Sequence, residues 1–117
     1  MGRMMKSIAT HSPSSVVAVD EPSHGGAHHH FQILGQGGYV GEVQFQCGPR
    51  GEPGSVTGCF TDDLLAIVEE QMRSFQAGPY SCEENERCLI LVAAARDAMA
   101  ERVAARAKRG VLGKNEV

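Results

Sequence analysis

The residues best suited to holding a ligand gather in the second half of this 117-residue chain. Arg96, Arg102, Arg106 and Arg109, with Lys108 among them, recur at helical spacing. Arg102 and Arg106 are four apart and face the same way, and Arg109 follows three later, so cations crowd one helix end. Two readings fit. Bases at a helix C-terminus complement its dipole; alternatively, like charges at this spacing repel and an anionic ligand relieves the cost. Glu101 and Asp97 offer partial neutralisation. Phe75, on the last turn of a preceding helix, either completes a core or stacks on a flat ring. Asn85 falls in the first turn of the basic helix, beside unpaired backbone N–H groups that can receive an anion or a ring acceptor. Arg50 stands at the apex of Gly48-Pro49-Arg50-Gly51-Glu52-Pro53-Gly54, a loop by composition, where an arginine is ordinarily just solvated.

Other reactive types do not assemble into a recognisable centre. In His28-His29-His30 adjacent side chains of a strand point to opposite faces, so only His28 and His30 share one. A polar strand start is the plainer reading and a weak metal site the sharper one. Cys47, Cys59, Cys82 and Cys88 are spaced CX11C, CX22C and CX5C, which matches neither a zinc ribbon nor a CxxC redox motif. They are read as reduced thiols of a cytosolic protein. Gly35-Gln36-Gly37-Gly38 is not a dinucleotide fingerprint, since no helix follows it. No Ser/His/Asp pattern and no carboxylate pair near a histidine supports an enzyme, and no cofactor is implied.

Two helices must position these residues. The first begins at Thr61, read as the N-cap, with Asp62 and Asp63 at the positive end of the dipole. Leu64, Ile67, Val68, Met72 and Phe75 form its apolar stripe, with the first three of these assigned to the core. Gly78-Pro79 ends it. The second starts with Ser81, read as a capping box with Glu84, and carries Cys88, Leu91, Val92, Ala95, Met99 and Val103 on one stripe. At roughly 28 residues it is about 40 Å long. It outruns its partner helix, so part of it meets something else, most simply a second copy of the chain.

Ahead of the helices, His29–Leu34 and Tyr39–Cys47 read as a hairpin around the glycine-rich turn, with Val43, Phe45 and Cys47 alternating against Gln44 and Gln46. Residues 55–60 add a short extended piece. Residues 1–27, rich in Ser, Pro, Gly and His, read as a mobile arm in which Val16-Val17-Ala18-Val19 could pair as an edge strand. The expected fold is α+β: a small antiparallel hairpin or sheet over 28–60, then a helical hairpin over 61–110. Together these form one domain, 28–113, with a tail at 114–117, in a homo-oligomer.

Net charge is −3, which argues against duplex nucleic acid as partner. Acids dominate from Thr61 to Glu86 and bases from Arg87 to Lys114, a polarity that suits antiparallel self-association. No secretory leader and no membrane span is read in the sequence. A helical nucleic-acid binder and a purely structural interaction module remain as rival classes.

The order of features resembles the phage-encoded Thoeris anti-defence family of the cyclic-ADP-ribose sponge type. The matching pieces are His29-His30-Phe31-Gln32-Ile33, Val43-Gln44-Phe45-Gln46-Cys47-Gly48-Pro49, Asp63-Leu64-Leu65-Ala66-Ile67-Val68 and Ser74-Phe75-Gln76. Cys82-Glu83-Glu84-Asn85 and Lys108-Arg109-Gly110-Val111-Leu112-Gly113 follow. The resemblance implies a non-enzymatic protein that binds glycocyclic ADP-ribose signals (the 1''-2' or 1''-3' isomer) made by host TIR-domain proteins, in the cytoplasm of the infected bacterium. It further implies dimers and hexamers, with cyclic di- and trinucleotides as additional ligands. Carried over by position, its ligand contacts fall on Arg50, Phe75, Asn85, Arg102 and Arg106. The chain departs from the family at Glu83, where a base is usual, and in an alanine-rich second helix without tryptophan. Phe75 would stack on adenine, Asn85 would meet a base edge or ribose hydroxyl, and the arginines would clamp phosphates. Asn85 and Arg102 are about 25 Å apart along one helix. One compact ligand cannot reach both from a single chain, so each pocket is expected to be shared between two antiparallel second helices, with two pockets per dimer.

Overall fold

The computed structural model describes residues 5–111. The chain divides into two compact units, one ending at Cys59 and the other beginning at Phe60. That division falls within a residue or two of where the sequence changes from sheet pattern to helix pattern.

The first unit is a four-stranded antiparallel sheet in the order β1-β2-β3-β4. Its strands are β1 (Lys6–Ile8), β2 (Ser15–Ala18), β3 (His30–Gly35) and β4 (Gly38–Gln44). Period-2 alternation sorts its faces. Across the register, Ile8, Val16 and Ile33 stand in one row and Ala18, Phe31 and Val43 in the next, which makes one apolar face. Ser7, Val17, Gln32 and Glu42 occupy the other. Ala18 and Val19 are buried. Phe45 meets Phe31 edge to face, with ring centroids 5.9 Å apart. β3 and β4 turn through Gln36-Gly37, with Gly38 at φ 113, and a register shift between Ile33 and Leu34 bulges β4 at Val40.

Two expectations are corrected here. Residues 1–27 are not wholly an arm outside the sheet, because they supply two of its strands. Val16–Ala18 is an inner strand, paired on both sides by β1 and β3. The reason is local anchoring. Asp20 just beyond β2 accepts the backbone N–H groups of His29 (2.8 Å) and His30 (3.1 Å), tying the exit of β2 to the entry of β3. The second strand of the hairpin also stops at Gln44 rather than Cys47. Beyond it the chain makes only isolated bridges, Phe45 with Cys59 and Cys47 with Val56, which supply the extended piece expected over 55–60.

The second unit is a helical hairpin of α1 (Thr61–Gln76) and α2 (Glu83–Arg109), which pack against each other. Phe60, not Thr61, is the N-cap of α1, and the Asp63 carboxylate accepts its N–H at 2.8 Å. Cys82, not Ser81, caps α2, and no side chain closes a capping box there. The Cys82 N–H instead goes to the Gln76 side-chain oxygen at 2.9 Å. At the far end Gly110 takes a left-handed φ of 75°. The N–H groups of Gly110 and Val111 return to the carbonyls of Ala107 and Arg106, a Schellman closure. Neither helix contains a buried residue. Ile67 and Val68, assigned to the core by their spacing, are exposed, as are Ile90, Leu91 and Val103. Two helices can cover only one face of each other, and these side chains lie outside that face.

Candidate functional site

Arg50 belongs to the first unit and is held within it. Its Nε donates to Gln46 Oε1 at 3.0 Å and its Nη2 to the Gly58 carbonyl at 2.7 Å. Gln46 Oε1 also accepts the Gly58 N–H at 3.1 Å, and Gln46 Nε2 donates to the Gly48 carbonyl. The loop arginine thus staples the stretch 46–58 into a fixed shape. Gly58 is required there: an added Cβ would stand 2.5 Å from the Phe45 carbonyl carbon.

The three histidines each have a partner. His28 Nδ1 donates to the Asp20 carbonyl at 2.6 Å, and His30 Nε2 reaches Glu42 at 2.7 Å. The Ser23 hydroxyl lies 3.2 Å from His29 Nδ1 and 3.5 Å from Cys47 Sγ. His30 and Tyr39 both donate to Glu42 and hold its carboxyl below the usual range. Burial would raise the Asp20 carboxyl, but the backbone N–H groups of His29 and His30 more than offset that and keep it low. No group of three or more potential metal ligands occurs among the described residues. All four cysteines are free thiols.

In the second unit the predicted residues separate into two clusters at opposite ends of α2. The first surrounds the α1–α2 turn. Phe75, 36% exposed, meets Tyr80 edge to face, with ring centroids 6.2 Å apart and planes at 89°. Asn85 Nδ2 donates to the Tyr80 carbonyl at 3.0 Å. Gln76 braces the same turn through Cys82 and Glu86. Tyr80 is not among the residues that the sequence pattern marks as ligand contacts. The signal available was an aromatic directly after Gly78-Pro79, where a turn must expose it.

The second cluster is the basic end. Arg102 is exposed and Arg106 half-buried, and Arg106 Nη2 donates to the Val111 carbonyl at 3.1 Å. Arg96, counted with this group from spacing, is committed elsewhere. Its Nε and Nη2 fork onto both oxygens of Asp62, at 2.8 and 3.0 Å, and its Nη1 meets Glu69 at 2.6 Å. Glu69 also binds Arg73. The Arg96 hydrogen bonds hold the Asp62 carboxyl below its usual range, and those acids raise Arg96 in turn. Asp62, Glu69, Arg96, Asp97, Met99 and Val103 line an open groove of about 470 Å³, in which none of the predicted contact residues takes part.

This arrangement of an aromatic turn, a long helix and a basic end invites comparison with known proteins. No protein-family model matches the chain. It is 31% identical over 107 residues to a protein of Bacillus phage SBSphiJ7 named Thoeris anti-defense 1, a match that spans 89% of this chain and 75% of the relative. The chain belongs to the Thoeris anti-defence family. The match runs through both units, so the family assignment covers the sheet as well as the helical hairpin. Among the described residues of this family member, no helix is long and apolar enough to cross a membrane.

Proposed function

We propose that the chain is a phage anti-defence protein that acts in the cytoplasm of the infected host. It binds glycocyclic ADP-ribose, the 1''-2' or 1''-3' isomer, and withholds it from the Thoeris effector without degrading it. The observation that carries this reading is the division of labour along α2. One end offers a ring face and an amide, from Phe75 and Asn85, and the other offers forked cations, from Arg102 and Arg106. A nucleotide presents the complementary pair, a flat base and a pyrophosphate. The relative named Thoeris anti-defense 1 supports the biological setting.

The two ends are 17 residues apart on an uninterrupted helix, about 25 Å. A single pocket therefore needs the turn of one copy beside the basic end of another, with two α2 helices antiparallel. Charge supports that pairing: Glu83, Glu84 and Glu86 open α2 while Arg106, Lys108 and Arg109 close it. Apolar surface supports it too, since Ile90 and Leu91 are 59% and 69% exposed on α2. Arg50 lies in the first unit, where its guanidinium holds Gln46 and the Gly58 carbonyl, so its part in this reading is to fix the shape of its own loop.

The test is recovery of intact ligand. The protein is mixed with glycocyclic ADP-ribose, filtered free of unbound nucleotide, and heat-denatured, and the released material is weighed by mass spectrometry. Unchanged ligand supports sequestration. A changed mass makes the protein an enzyme, and no released nucleotide removes ligand binding altogether. Running the same cycle with cyclic di- and trinucleotides decides whether they share the protein.

A further inference from the structure

The turn between α1 and α2 holds an exposed aromatic that neither the sequence pattern nor the family match assigns to the site. We infer that Tyr80 is a specificity-determining residue for the base, and that the turn it belongs to selects a 6-aminopurine over a 6-oxopurine. This rests on the sequestration reading above.

Three features of the turn lead there. First, the Phe75 and Tyr80 rings stand at 89° with centroids 6.2 Å apart, which makes an open corner rather than a closed stack. Tyr80 is 75% exposed, so its ring has a free face in a turn braced on both sides. A flat heterocycle laid on one ring of such a corner presents its edge to the other, the preferred geometry for both contacts. Second, the corner is rigid before any ligand arrives. The Cys82 N–H is bound to Gln76, the Gly78 N–H to the Phe75 carbonyl, and the Asn85 amide to the Tyr80 carbonyl. Preorganisation of this kind lowers the cost of binding.

Third, the Tyr80 carbonyl sets which way the Asn85 carboxamide points. One Nδ2 hydrogen is donated to that carbonyl at 3.0 Å. A carbonyl cannot donate, so a flipped amide would place two acceptors against each other and lose the bond. Asn85 is left with its Oδ1 as an acceptor and one remaining N–H as a donor. That pair matches adenine, whose exocyclic amine donates beside a ring nitrogen that accepts. Hypoxanthine puts a carbonyl where the amine was, so Oδ1 would face a second acceptor. Tyr80 thereby serves the site twice, through its ring and through its backbone oxygen.

The experiment compares glycocyclic ADP-ribose with its hypoxanthine analogue on the full chain. Wild type is expected to bind the hypoxanthine form about tenfold to a hundredfold more weakly. Tyr80→Ala, which removes the ring and keeps the backbone carbonyl, is expected to weaken binding of the adenine form by about tenfold, and Tyr80→Phe, which restores the ring, recovers most of that loss. An optical readout avoids any variant of the turn. The chain has two tyrosines and no tryptophan, so in Tyr39→Phe the fluorescence reports Tyr80 alone and should be quenched saturably by the adenine ligand. If the adenine ligand is retained but Tyr80 is not quenched, or the two nucleotides bind equally, the inference is overturned while the sequestration reading stands. If wild type retains neither nucleotide, the reading itself falls.

Discussion

The sheet unit and the helical hairpin treat their surfaces in opposite ways. In the sheet unit, polar side chains are spent inward on its own backbone. Asp20 holds two strand-entry amides, and Gln46 and Arg50 together tie the loop to Gly58. Ile8, Val16, Ala18, Phe31, Ile33 and Val43 share one face, while Met5, Tyr39, Val40 and Val56 are exposed. The hairpin has no buried helical residue and leaves Ile67, Ile90, Leu91 and Val103 in contact with solvent. Arg96 with Asp62 and Glu69 makes a dense polar network that joins the two helices and does nothing for those exposed side chains. The contrast teaches that the sheet unit ties its strands and loop with its own polar groups, while the hairpin leaves much of its apolar helical surface uncovered.

The comparison can be broken most severely in the sheet unit. Gly58→Ala drives a methyl into the backbone of Gln44 and Phe45, and should destabilise the sheet by about 3 kcal/mol or more. Amide hydrogen exchange in β3 and β4 would show it, with the helices unchanged. In the hairpin the corresponding large effect should fall on assembly instead of fold. Leu91→Asp is expected to weaken self-association by about tenfold or more, read by light scattering, while helical circular dichroism is kept.

Arg96→Met leaves Asp62 and Glu69 without their shared cation, so the hairpin should melt at lower temperature. Its pH profile sharpens the point. The Asp62 carboxyl is lowered by the Arg96 hydrogen bonds. Its contribution is therefore full above the ordinary carboxylate value and is lost as pH falls through the lowered one. Wild-type hairpin stability should hold through neutral pH and decline only below about pH 4. In Arg96→Met that acid decline should flatten. The smallest effect is local: Gly110→Ala forces a side chain into a left-handed conformation and should cost about 1 kcal/mol at the end of α2.

Much of this architecture is legible in the sequence because it is periodic. The β3–β4 hairpin announces itself through alternation around a glycine turn, and both helices through their stripes and breakers. β1 and β2 are not legible in the same way. They are three and four residues long, sit in Ser- and Pro-rich chain, and depend on the distant β3 for pairing. The α2 cap falls one residue after Ser81, at Cys82, whose N–H Gln76 of the preceding helix takes, and the α1 cap falls one before Thr61, at Phe60, whose N–H the Asp63 carboxylate takes. Spacing marks Ile67 and Val68 as members of an apolar stripe but not that they are exposed, since it reveals a face and not what lies against it. The site shows the same limit. Residue types marked Phe75, Asn85, Arg102 and Arg106, but the engagement of Arg50 with Gly58 and of Arg106 with Val111 arises from folded backbone oxygens that no residue pattern encodes.

Because α2 runs unbroken from Glu83 to Arg109, it fixes an angle as well as a length. One residue inserted between Asn85 and Arg102 would lengthen the helix by only about 1.5 Å but swing the arginines about 100° around its axis. Seven inserted residues would return them to nearly the same bearing, about 20° off, yet carry them about 10 Å farther away. Insertions of one and of seven therefore separate aim from reach, and α2 works as a protractor and a ruler at once.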